Sequence, residues 1–244
     1  MQKRYLIVGG SSGIGLAVAK KLRGETRSVM VVGSNQEKLS AINTLYPDIL
    51  TLQSDLSDPH NVAGLFEQIK PMMGGGKLDG MVYAAGISPL CLLKDNTVEL
   101  SERVFSVNYF SFLECCRFFY MPDFGKEGSR IVAVSSVTSK GAGYRQILYG
   151  SSKEAMNSAV RLLAHRFMER RIVINSILPG VVNTDIFQRL CLKSNNLIEK
   201  TKQRQLLGIL EPQEVAEQII LMLSDDYRVT GHEVYFDAGW NIAE

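Results

Sequence analysis

Seven short apolar runs recur along the chain, at residues 5–8, 28–32, 50–53, 80–83, 130–134, 173–178 and 233–236. Most are continuously apolar, the pattern of strands buried on both faces. Helical periodicity fills the intervals. Residues 14–22 carry Ile14, Ala17, Val18 and Leu22 on one face, and residues 149–170 carry Ala155, Ala159, Leu162, Leu163 and Phe167 on one face. Strand–helix alternation predicts a parallel sheet of about seven strands with helices on both sides, and right-handed crossovers make it a doubly wound α/β sheet. No repeat or linker interrupts the pattern, so residues 1–244 read as a single domain. Gly74-Gly75-Gly76 reads as a flexible loop. Residues 185–210 contain no strand pattern and are mixed in polarity. They read either as a cover over a site at the strand ends or as a surface helix pair.

Composition narrows the function classes. The chain has 244 residues, 45% hydrophobic and 21% charged, with a formal net charge of +2. That is an ordinary globular balance with enough chain for a full core. The basic clusters at Lys20, Lys21 and Arg23 and at residues 166–171 fall inside helical patterns and read as solvated faces, so no nucleic-acid partner is expected. The apolar run at 5–8 is too short for a signal peptide, and no run approaches the ~18 apolar residues of a membrane span. A soluble, cytoplasmic protein with no membrane partner is expected. Cys91, Cys115, Cys116 and Cys191 form no Cys-x-x-Cys pair and read as free thiols. His60, His165 and His232 stand far apart, so no metal site is expected.

Candidate chemistry begins at Gly9-Gly10-Ser11-Ser12-Gly13-Ile14-Gly15, placed between the first strand and the first helix. Glycines there let the chain turn tightly and let a pyrophosphate approach, and the helix N-terminus favours its charge. This predicts dinucleotide binding by a Rossmann-type domain. The absence of Gly-Lys-Ser/Thr argues against a nucleotide triphosphatase. A second cluster is Tyr149-Gly150-Ser151-Ser152-Lys153. Its tyrosine and lysine fall one helical turn apart on one face. A phenol with a pKa near ~10 is a poor acid/base at neutral pH, and a nearby ammonium favours its ionised form. The spacing alone is weak. It gains force from Ser136, which closes a strand thirteen positions before Tyr149, at the carboxyl edge where open α/β sheets place ligands.

These motifs resemble the short-chain dehydrogenase/reductase family over nearly the whole chain. The glycine turn matches its Thr-Gly-x-x-x-Gly-x-Gly pattern, with Val8 in the threonine position. The resemblance implies an NAD(P)-dependent oxidoreductase that interconverts a carbonyl and a secondary alcohol. It implies four catalytic residues: Ser136 steadies the substrate oxygen, Tyr149 transfers the proton, Lys153 holds the nicotinamide ribose and lowers the tyrosine pKa, and Asn108 holds a water linking Lys153 to solvent. It further implies cofactor contacts at Gly9, Ser11, Ser12, Gly13, Ile14, Gly15 and Ser34, and at Asp55 and Leu56 beside the adenine. Ala84, Ala85 and Gly86 follow the fourth strand, where Tyr83 and Ala84 replace the family's usual asparagine pair. Pro179, Gly180, Val182 and Thr184 would face the nicotinamide. The general resemblance is to 3-oxoacyl-carrier-protein reductases, and the family's usual assembly implies a homodimer or homotetramer.

Two choices stay open in the sequence. No acidic residue stands at Gly33 to bond the ribose hydroxyls, and no arginine stands at Ser12 or Ser34. Ser34, Asn35 and Lys38 remain to hold a phosphate, which favours NADP over NAD. The aromatic stretch from Tyr109 to Phe119, with Phe110, Phe112 and Phe118, reads as a subunit interface or as core. The alternative to an enzyme is a non-catalytic nicotinamide-binding sensor or assembly protein of the same fold. The presence of Asn108, Ser136, Tyr149 and Lys153 together argues against it.

Overall fold

A computed structural model describes residues 2–141, 143, 145–191 and 197–242. The first half contains β1 (Lys3–Val8), α1 (Gly13–Leu22), β2 (Arg27–Gly33), α2 (Gln36–Leu45), β3 (Ile49–Gln53), α3 (Asn61–Met72) and β4 (Leu78–Tyr83). Then come α4 (Val98–Phe105), a π-helical turn (Ser106–Phe110), α5 (Ser111–Tyr120), β5 (Gly125–Val134) and a 3-10 turn (Val137–Ser139). The remainder is α6 (Ile147–Phe167), β6 (Val173–Pro179), α7 (Asp185–Cys191), α8 (Leu197–Arg204), α9 (Pro212–Met222) and β7 (Glu233–Phe236).

The seven strands form one sheet in the order β3-β2-β1-β4-β5-β6-β7, and every neighbouring pair is parallel. Alternate side chains point to opposite faces. Leu6 and Val8 of β1 pack toward α3, α5 and α6, while Tyr5 and Ile7 pack toward α1, α2 and α9. Both faces are therefore covered, which is why the strands read as unbroken apolar runs. The direction of winding reverses between β1 and β4, the point where doubly wound sheets open a crevice at their carboxyl ends.

Several boundaries and orientations differ from the sequence reading. β5 starts at Gly125, five residues before the apolar run, because its exposed first residues Lys126 and Glu127 give no hydropathy signal while their backbone remains in the strand. The buried stripe of α6 runs through Met156, Ala159, Val160, Ala164 and Phe167, and Leu162 instead faces solvent with 69% exposed. The aromatic stretch is mainly core: Phe112 and Phe119 are sealed, Phe118 and Tyr109 pack against the core partly buried, and Phe110 is 46% exposed. Residues 185–210 form two helices, with residues 192–196 of that segment outside the described residues. Cys115 and Cys116 are buried free thiols, and burial pushes both pKa values up. No described helix is long and apolar enough to cross a membrane.

Candidate active site

The glycine turn packs directly against the β4 turn. Gly9 has φ of +81°, and a Cβ there would meet the Ala85 amide nitrogen at 2.3 Å. Only glycine permits both the dihedral and the approach. Val8 carries no hydroxyl to brace this turn, and backbone bonds brace it instead. The Gly9 and Gly10 amides donate to the Val32 carbonyl at 2.8 and 3.1 Å, and the Ala84 amide donates to the Val8 carbonyl at 2.7 Å. A Cβ on Gly15 would lie 2.4 Å from the Gly9 carbonyl oxygen, so α1 starts flush against the turn. Ser12 precedes α1 in an extended conformation without capping through its side chain, and the first turn holds no acidic residue. The leading amides of α1 are thus left to an anion. This cradle fits a pyrophosphate.

Across it stands the turn after β6. A Cβ on Gly13 would meet Thr184 Cγ2 at 3.3 Å, so Thr184 lies beside the glycine turn. Gln205, fully buried, holds this second turn. Its Oε1 accepts from the Val181 amide at 2.7 Å, and its Nε2 donates to the Val181 and Gly208 carbonyls at 3.0 and 2.6 Å. Gly180 is required there, since a Cβ would sit 2.4 Å from Gln205 Oε1. Val182 bridges Leu210 in parallel sense. Gln205 escaped the sequence reading because a lone glutamine beyond α8 carries no pattern that announces a partner twenty-four residues away.

Asn108 lies in the π-helical turn and is buried. Its side chain accepts from the Ile87 amide at 2.9 Å and donates to the Ile87 carbonyl at 3.0 Å and to Ser152 Oγ at 2.9 Å. The amide therefore ties the chain after β4 to α6. Tyr83 braces the π-helical turn that carries Asn108. It is sealed, its ring stacks edge-on to Phe112, and its hydroxyl donates to the Val107 carbonyl at 2.5 Å. A Cβ on Gly86 would meet Lys153 Nζ at 3.3 Å and Asn108 Oδ1 at 3.4 Å, so these two groups border one small space.

Ser136, Tyr149 and Lys153 converge at the end of β5. Lys153 is 3% exposed and donates to the Val134 carbonyl at 2.8 Å, with its ammonium 5.9 Å from the centre of the Tyr149 ring. Burial lowers its pKa from 10.5 to about 7. Burial raises the pKa of Tyr149, while the hydrogen bond with the Ser136 hydroxyl opposes that rise. A buried amine with a single carbonyl partner named among the described residues has donor capacity left for ligand hydroxyls.

The remaining predicted contacts spread along the same carboxyl edge. Ser34 is exposed after β2, and Asp55 is exposed after β3 with one carboxylate oxygen accepting from the Ser57 amide. Leu56 is buried. In strand order they lie beyond β1, on the side away from Tyr149. A Cβ at Gly33 would lie 2.8 Å from the Ser11 side chain, so any larger residue there would have to displace it. Asn35 caps α2 by accepting from the Lys38 amide, and Lys38 pairs with Asp185 at 2.5 Å. The Lys38 ammonium is therefore shared with α7 and not simply offered to a phosphate.

Residues 8–241 match the family model described as enoyl-(acyl carrier protein) reductase. Carbonyl reductase family member 4 of Xenopus laevis is 31% identical over 239 residues, covering 98% of each chain. The 3-oxoacyl-(acyl-carrier-protein) reductase of Homo sapiens is 29% identical over 241 residues, with the same coverage. Among solved structures, ElxO with NADP bound is similar at a TM-score of 0.87 and 25% identity, covering 99% of this chain and 100% of that one. The chain belongs to the short-chain dehydrogenase/reductase family. It is an NAD(P)-dependent oxidoreductase by that membership.

Proposed function

We propose that this protein reduces a carbonyl to a secondary alcohol, with Tyr149 as the proton donor. The observation that carries the reading is the convergence of Ser136, Tyr149 and buried Lys153 beside the glycine cradle. A phenol whose pKa is held up by burial stays protonated at neutral pH and is poised as an acid. Ser136 and Tyr149 present two hydroxyls to one carbonyl oxygen, an arrangement that stabilises charge developing there. Lys153 counters the negative charge left on Tyr149, and Asn108, alongside it, is the seat of the solvent link.

The nicotinamide, when bound, supplies or takes up the hydride. Gly9, Ser11, Ser12, Gly13, Ile14 and Gly15 would hold its pyrophosphate, Ala84, Ala85 and Gly86 its adenosine side, and Asp55 and Leu56 the adenine. Lys153 would hold the ribose, with Pro179, Gly180, Val182 and Thr184 at the carboxamide. We assign NADP in preference to NAD, on the absence of any acidic side chain at Gly33 or Ser34 and on the NADP seen in a structural neighbour. Residues 185–210 would cover the substrate. The same reading places the protein in the cytoplasm as a homodimer or homotetramer.

The substrate test compares 3-oxoacyl thioesters, simple ketones and enoyl thioesters under NADPH and NADH, following nicotinamide absorbance. Turnover of the carbonyl substrates with a lower KM for NADPH is expected. Turnover of the enoyl thioesters alone would overturn the carbonyl reading, and a clear NADH preference would overturn the NADP assignment.

A further inference from the structure

Ser136 Oγ has one proton to give and two lone pairs to fill. Both acceptor directions are met from a single neighbour. The Thr138 amide donates to Ser136 Oγ at 3.2 Å, and Thr138 Oγ1 lies 2.9 Å from the same oxygen. Ser136 is in an extended conformation and caps the 3-10 turn Val137–Ser139 through the first of these bonds. The turn is itself fixed to α6. Ser139 Oγ donates to the Ser136 carbonyl at 2.8 Å, and Asn157 Nδ2 donates to Ser139 Oγ at 3.0 Å. Asn157 follows Lys153 by four residues, as Lys153 follows Tyr149, so all three share one face of the helix.

We propose that Thr138 is a positioning residue for the acid/base pair: its hydroxyl donates to Ser136 Oγ and thereby turns the one Ser136 proton into the site, toward the Tyr149 oxygen until a substrate oxygen accepts it instead. This rests on the role assigned above to Tyr149. Hydrogen bonds in series polarise one another, so a Ser136 hydroxyl that accepts twice is a stronger donor. The direction is consistent with the Ser136 bond favouring ionised Tyr149. The charged side chains near this chain of hydroxyls are Lys153 beneath Tyr149 and the outer network of Lys140, Glu154, Arg161 and Glu233, whose charges are paired with one another.

The test is Thr138→Val, with Thr138→Ala as a smaller variant lacking the same donor and Thr138→Ser restoring it. Each is assayed in the holoenzyme for kcat, for NADPH affinity and for the pH at which kcat/KM falls on the alkaline side. The Val and Ala variants should lose about five- to tenfold in kcat, the size of one hydrogen bond. Their alkaline limb should move up by roughly half a unit to one unit, because ionised Tyr149 has lost support. NADPH affinity should stay within about twofold, and Thr138→Ser should restore both kcat and the limb. An unchanged limb, or a Ser variant that behaves like Val, would overturn the proposal. A downward shift would also overturn it, because it would mean that Ser136 donates to Thr138. Tyr149→Phe runs in parallel. If it is inactive while Thr138→Val is silent, only the Thr138 inference fails; if it is active, the assignment of Tyr149 fails with it.

Discussion

Lys153 shows what the site demands of a single residue. An ammonium with 3% of its surface exposed and a pKa lowered from 10.5 to about 7 is costly to bury. In the unfolded chain the amine keeps its proton up to about 10.5, whereas in the folded chain it releases it near 7. Folding therefore expels a proton between those values. Stability should rise with pH across that window, and the cost should be fully present below 7. Lys153→Met removes it. Measured by calorimetry without cofactor, the variant should melt above the wild type below pH 7, with the advantage vanishing toward pH 10.5. A difference independent of pH would contradict this account of the lysine. Tyr83 makes a second case at this scale. Tyr83→Phe deletes only the hydroxyl that donates to the Val107 carbonyl. It should cost about 1–2 kcal/mol in urea unfolding and lower kcat through a looser Asn108 turn. Unchanged stability would mean that the hydroxyl does not brace that turn.

At the level of elements, the sequence shows what burial on both faces makes visible. The runs at 5–8 and 28–32 stand out because Leu6 and Ile7 face opposite helical layers and neither can be polar. The opening of β5 was hidden because a strand needs only backbone partners there, and Lys126 and Glu127 are exposed. Leu162 misled because its hydrophobicity matched the α6 stripe while its position faces outward. The glycine turn, Ser136, Tyr149 and Lys153 were legible because chemistry and spacing coincide on adjacent elements. The π-helical turn was not, since one asparagine inside a helix does not specify its hydrogen-bond ladder. The Gln205 clamp was not, since its partners are distant in sequence. Gln205→Leu should free the Val181 backbone and raise the KM for cofactor several-fold, while kcat at saturation falls less; steady-state kinetics would show it. An unchanged KM would separate that turn from cofactor binding.

Over the whole molecule, the strand order gathers the candidate groups along one edge of one sheet, from Asp55 after β3 to Thr184 after β6. The reversal between β1 and β4 sets the Gly9–Ala85 contact at the crevice, and β5 places Ser136 next to it. Assembly is the second property of this scale. Leu162 on α6 and Phe110, which ends the π-helical turn leading into α5, are exposed apolar groups. If these helices join subunits, Leu162→Glu should shift the mass found by light scattering toward monomer; an unchanged mass would place the interface elsewhere. Proton transfer in this site falls to Tyr149. The most direct measurement is single-turnover hydride transfer from bound NADPH to the best carbonyl substrate, comparing wild type with Tyr149→Phe. The variant should lose about a hundredfold or more in the rate of transfer, with NADPH still bound at near wild-type affinity. Transfer at the wild-type rate in Tyr149→Phe would contradict that role.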